Sequence, residues 1–281
     1  MIGFWVVNLL VPEEPQTLSI KTASGTWTLE KAEFYTKSLE GILNNKCAHT
    51  YTIEHPVSMK SGAAACDIAF DEITPLLLGA SYLSGLSVTV KQSLTFSDVT
   101  IINPTAHWPR ERSIGSGYPI ISTSAEFVTA IEAFLQAWPD VGQRQKVCLL
   151  VHHWLDALAC WSFEDLYLSA TTLLQIIAAT EEDFQGKSLS YLDAVSTAST
   201  RAGITPLTRD FKDMRNNLIH EGRLLGGKFP GKTLDDCAVV AADVLNWFDS
   251  YMHSALKLGA VCRKRFSAGD FLNLNSYSIS D

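Results

Sequence analysis

The hydrophobic pattern changes period near residue 123, from the two-residue alternation of strands to the three-to-four spacing of helices. A sheet face and a helical stripe bury apolar surface in different layers, so the switch predicts an α+β chain with two domains. Its 281 residues suffice for both, and 47% hydrophobic against 19% charged residues is a globular, well-cored composition. The expected division is a β-rich N-terminal domain over 1–122, an all-helical bundle over 123–262 and a loose tail over 263–281.

In the front part, Met1–Val11 is nearly all apolar and too short to span a bilayer. With no basic leader or cleavage site it reads as a buried first strand rather than a signal peptide. Thr17–Ala23 alternates, Thr26–Leu29 follows the Ser24-Gly25 turn, and Ala48–Glu54, Cys66–Phe70 and the pair Leu86–Lys91 with Leu94–Ile102 add strands. One helix interrupts them, with Asp71 as N-cap, apolar residues from Ile73 to Leu83 and Gly85 as the stop. Asn103–Tyr118, with two prolines and two glycines, reads as a loop. The sum predicts a β-sandwich or barrel-like domain with a small helix.

Behind it, Ser124 caps a helix over Ala125–Trp138 that Pro139 to Gly142 breaks. A second helix spans Gln143–Cys160, a third runs from Phe163 to about Thr180 behind Ser162, and a fourth covers Ser188–Ala202. Thr205-Pro206 opens a fifth that Gly222 ends, and Thr233 with Asp236 caps a last helix to Leu258. Trp138, Trp154, Trp161 and Trp247 fall on apolar faces of this half and are expected in the core. The adjacent His152 and His153 point about 100° apart on a helix, which does not suit a metal pair.

Charge is unevenly spread. Residues 1–142 carry 8 Lys+Arg against 14 Asp+Glu, and residues 143–265 carry 14 against 14. The acidity belongs to the front, and no broad basic field of the kind a tight nucleic-acid binder uses is present. The six cysteines are scattered without a C-x-x-C pair, which fits reduced thiols of a cytoplasmic protein and calls for no metal or cofactor.

Against this background the segment Arg215-Asn216-Asn217-Leu218-Ile219-His220 stands out. Arginine offers a planar charge to phosphate oxygens, and histidine moves protons near neutral pH. Asn216 and His220, four apart, share a helix face, while Arg215 lies about 140° round from His220. Phe211, Met214 and Leu218 supply the buried stripe. An ion pair or cap at a helix end, with Asp213 or Glu221 as partner, is the plainer use of the same residues.

The order of these signals resembles the HEPN superfamily of helical bundles, whose signature is Arg, a polar residue, a few further residues and His. Phe163 to Leu168, Leu189 to Leu192 and Met214 to Gly222 look like its ApeA-type branch, over about residues 145–255, where a β-rich domain commonly precedes the bundle. A glutamate usual in the branch is replaced here by Gln175. The resemblance implies a metal-independent endoribonuclease, acting on RNA such as tRNA in phage defence or a toxin-like stress response. Arg215, Asn216 and His220 would be catalytic, and Arg209, Lys212 and Glu164 weaker RNA contacts. It also implies a homodimer with a composite site and a phage or signal ligand at the N-terminal domain, with no membrane. Gln175 and the balanced charge equally fit a non-catalytic HEPN module that binds a nucleotide or partner, and a dimeric interaction protein fits as well.

Overall fold

The computed structural model describes residues 1–44, 46–57, 62–93, 119–259, 263–272, 274 and 276. It is α+β, and the described residues form two units, one up to Pro139 and one from Asp140 onward. The expected strand Leu94–Ile102 and the loop Asn103–Tyr118 lie outside the described residues.

The first unit is built on one antiparallel sheet of β1 (Ile2–Val7), β2 (Thr17–Lys21), β3 (Thr26–Lys31), β4 (His49–His55) and β5 (Thr89–Ser93), in the order β2-β3-β4-β1-β5. Alternation explains its two faces. Cross-strand partners Leu18–Leu29–Ile53–Phe4 and Ile20–Trp27 are buried, whereas Thr17, Ser19, Thr28 and Glu30 are exposed. β1, paired on both edges, is almost wholly buried, as the apolar start of the chain predicts.

The apolar face is covered by helices, not by a second sheet, which corrects the expectation of a sandwich or barrel among the described residues. α2 (Ala63–Ser84) begins eight residues before the expected cap at Asp71 and absorbs Cys66–Phe70, read above as a strand. The reason is local: Ala63, Ala64, Ala65 and Ala69 have the strongest helix propensity, and they extend the helical stripe of Ile73, Leu77 and Ala80 backward. Phe70 meets Phe4 of β1 edge-on at 5.9 Å. A further helix, α1 (Tyr35–Leu43), went unread; its Tyr35 packs on Tyr51 of β4 at 5.5 Å. α3 (Ser124–Val141) continues through Pro139, the expected break. Up to that residue it belongs with the sheet, whereas the sequence reading places it with the bundle. It crosses α2 at Gly79, where a Cβ would stand 3.1 Å from the Phe134 ring.

Glu72 ties α2 to the β2–β3 turn. Its carboxylate accepts from the Ser24 hydroxyl at 2.5 Å, Thr22 at 2.6 Å, the Ser24 amide at 3.0 Å and the Trp27 indole at 3.1 Å. Burial pushes its pKa up, but these hydrogen bonds outweigh burial and hold it below the usual carboxylate range.

The second unit is helical: α4 (Val147–Leu158), α5 (Phe163–Gln185), α6 (Tyr191–Ala202), α7 (Asp210–Glu221), α8 (Leu234–Ala255) and the short α9 (Gly269–Leu272). α5 is its spine, packing against α4, α6, α7 and α8. Ser162 accepts the Asp165 amide at 3.1 Å, Ser190 the Asp193 amide at 3.2 Å, and Thr233 with Asp236 completes a capping box. α7 starts at Asp210, five residues after the expected cap at Thr205. Of the tryptophans expected in the core, Trp154 and Trp247 are buried and Trp138 half-buried, but Trp161 falls just beyond α4 and is 54% exposed.

The tail read as loose is packed as far as α9. Phe266 and Phe271 are buried, and Asn246 of α8 donates to the Phe266 carbonyl at 2.9 Å. Arg265 pairs with Asp249 at 3.1 Å inside the unit and lies over the Trp154 ring.

Nearby His253 is buried on α8, and burial, then the Arg265 charge, lowers its pKa to about 4. Its folded value lies below the unfolded one, about 6.5. The unfolded chain therefore binds more protons between these values, and stability falls as pH drops from about 6.5 to about 4. The loss attributable to His253 is about 3 kcal/mol. Urea titrations of wild type and His253→Gln at pH 7 and 4.5 measure it, since the glutamine variant should lose less across that interval.

Candidate functional site

α7 is held from beneath. Phe211, Met214 and Leu218 are buried as the stripe predicts, and the Tyr167 hydroxyl of α5 donates to the Phe211 carbonyl at 2.6 Å. Burial drives the Tyr167 pKa well above its ordinary value, so the phenol stays protonated and keeps that donor. The far end is fixed by Asn217. Its amide donates to the carbonyls of Arg223 at 2.8 Å and Leu225 at 3.0 Å and accepts the Lys228 amide at 2.9 Å. One buried side chain thus satisfies three backbone groups of the loop that turns back under α7. Gly227 approaches so closely, at φ +43°, that a Cβ there would stand 2.5 Å from the Asn217 Oδ1.

The two asparagines of the motif therefore have opposite fates. Asn217 is interior, while Asn216 is half-buried and free of hydrogen bonds among the described residues. His220, four residues on in the last turn, is exposed. Arg215 lays its guanidinium over the Tyr191 ring of α6, 5.1 Å from the centroid. Tyr191 is itself set by an edge contact with Phe211 at 5.5 Å and by a hydrogen bond from its hydroxyl to the Thr171 carbonyl at 3.3 Å. This ring holds the arginine arm in a fixed place without consuming its five N–H donors. Tyr191, Tyr167 and Asn217 are the supporting residues that sequence reasoning gave no role.

The plainer expectation, an ion pair for Arg215 or His220, is not what the described residues contain. Asp213 is engaged by Arg209 at 3.2 Å, and Asp210 by Lys232 at 2.8 Å. Among the described residues Arg215 and His220 have neither an ion pair nor a hydrogen bond. Arg209, at the N-cap of α7, is exposed, and Lys212 in its first turn is half-buried. Glu164 is not on a surface that RNA reaches: it is 4% exposed and accepts from the Ser276 hydroxyl at 2.6 Å. Gln175 on α5 is exposed. No group of three or more His, Cys, Asp or Glu among the described residues is arranged to hold a metal ion, and no helix among them is long and apolar enough to cross a membrane.

Chemically, α7 carries a planar cation and an amide, both half-buried, and an exposed imidazole in its last turn, with Arg215 turned about 140° from His220 on the helix. That set suits a phosphodiester: the cation and amide for its oxygens, the imidazole for a proton. No family model, no curated protein and no solved structure matches this chain.

Proposed function

We propose that the helical unit is a HEPN-type endoribonuclease cleaving RNA without a metal ion. The 2′-hydroxyl attacks the adjacent phosphorus and the 5′-oxygen leaves, giving a 2′,3′-cyclic phosphate. Arg215 stabilises the charge that grows on the phosphorane. His220 transfers the proton, and Asn216 binds a phosphate oxygen or orients the histidine. Two copies pair so that two sets face one cleft, which also gathers positive charge that a single chain lacks. Phage defence or a toxin-like stress response is the setting, with tRNA among the RNAs to try first, and the acidic front unit takes the trigger.

The observation that carries this reading is the contrast along α7. The cations that flank its start, Arg209 and Lys232, are paired with Asp213 and Asp210, whereas Arg215, like Lys212 without an ion pair among the described residues, is in addition held on an aromatic ring with its donors unspent. A non-catalytic module that binds a nucleotide or partner remains the second reading. It is favoured by the absence, among the described residues, of any hydrogen bond orienting the His220 ring. Incubating the purified protein with total tRNA and mixed-sequence RNA in EDTA, then analysing the new ends, decides between them. Cyclic-phosphate ends support cleavage; binding without new ends supports the module.

A further inference from the structure

We infer that the helical unit carries a second anion site, away from the α7 motif, that takes a polyphosphate-sized group. The site is a cleft of about 520 Å³ lined by Arg144, Gln145, Arg201, Tyr251 and Lys257, with Asp140 at its edge. The inference does not depend on the nuclease reading, since it uses none of the same residues.

The cleft is built on a fixed network. Glu181 of α5 is fully buried and both its oxygens are occupied, one by Gln185 at 3.0 Å and the other by the Arg201 Nε at 2.7 Å. Arg201 also donates to the Tyr251 hydroxyl at 3.3 Å, which in turn donates to the Gln145 side-chain amide oxygen Oε1 at 2.8 Å. Burial lowers the Arg201 pKa, but the hydrogen bond and charge of Glu181 outweigh it and raise the net value, so this arginine is a permanent cation. Its position is set before any ligand arrives.

Arg144 is brought to the same place by a shared ring. The guanidinium carbons of Arg144 and Arg201 lie 4.5 and 4.4 Å from the centroid of Phe184, so they are within about 9 Å of each other. Lys257 enters from beyond α8 with a left-handed backbone, φ +56°. Three cations thus line one cleft, and Glu181 compensates only Arg201. Among the described residues Arg144 and Lys257 have no ion pair. Like charges gathered this closely repel, and an anion between them relieves the repulsion. A single carboxylate engages one guanidinium fork. Three cations around a cleft of this volume suit a di- or triphosphate, whose oxygens are spread over several ångströms.

Calorimetric titration of the full chain with inorganic pyrophosphate tests the site. Wild type and the double variant Arg144→Gln/Lys257→Gln are compared at low salt, and circular dichroism checks that both are folded. Both replaced side chains are exposed, Arg144 giving up only its place over the Phe184 ring, and Arg201 is left in place because it holds the network. The expected result is saturable binding by wild type, weakened at least about tenfold in the double variant. Equal affinity in the two, or no saturable binding by wild type, overturns the proposal. A short RNA titrated in parallel identifies the source of the phosphate. RNA displaced by pyrophosphate and weakened by the double substitution makes the site an RNA-backbone contact. RNA binding that is indifferent to both makes it a site for a free nucleotide.

Discussion

Arg215→Ala should lower RNA cleavage by about 10²–10³-fold, the usual effect of removing one preorganised donor to a developing oxyanion. His220→Ala should lower it by about 10²–10⁴-fold, the range for a general acid or base. Neither should unfold the protein. His220 is exposed without a hydrogen bond among the described residues, and Arg215 gives up only its contact with Tyr191, worth about 0.5–1 kcal/mol. Arg215→Lys separates charge from shape: it keeps a cation but loses the planar fork, and should recover only part of the rate. Initial cleavage rates in EDTA, beside thermal melts of each variant, measure both sides of the claim. Full activity in either alanine variant would remove that residue from the site.

The second large effect is on stability. Asn217→Ala removes three hydrogen bonds and leaves the carbonyls of Arg223 and Leu225 and the amide of Lys228 without their partner. Stranding such groups in a part-buried position should cost about 2–4 kcal/mol. Asn216→Ala, one position earlier, should cost less than about 0.5 kcal/mol. Urea denaturation of the two variants reads the difference directly. The effects on activity should also part. Asn217→Ala should act through loss of folded protein and recover on cooling, whereas Asn216→Ala should impair cleavage at every temperature. Equal stabilities for the two would mean that the loop over residues 223–228 does not depend on the Asn217 amide.

These pairs also show what sequence can and cannot reveal here. The caps at Ser162 and Thr233 were legible because each is closed by a residue three positions on, whereas the fourth helix, expected from Ser188, is capped by Ser190 and begins at Tyr191. Strands β2, β3 and β4 were legible because alternation is itself the cause of their one-sided burial. The start of α2 was missed because Ala63–Phe70 is short and apolar, and a short apolar run serves either element. The start of α7 was misplaced because Thr205-Pro206 permits a helix without compelling one. The N-cap position falls instead on Arg209, and the helix begins at Asp210. In the same way Arg215, Asn216 and His220 could be picked out by spacing, but nothing distinguishes Asn216 from Asn217 until the loop returns beneath the helix. Nor does spacing reveal that Tyr191, on a different helix, carries the Arg215 arm. Glu164 was misjudged because a carboxylate in the first turn of a helix is ordinarily exposed, whereas this one is covered by the chain near Ser276.

The central claim, that this helix end cleaves RNA through its own 2′-hydroxyl, is met most directly by one comparison. A short RNA and the same sequence made with 2′-deoxyribose throughout are incubated in EDTA with folded wild type and folded Arg215→Ala. The account predicts cyclic-phosphate products from the RNA with wild type alone, and no cutting of the deoxy chain by either protein. Cleavage of the deoxy chain, or undiminished cleavage of the RNA by Arg215→Ala, would contradict it.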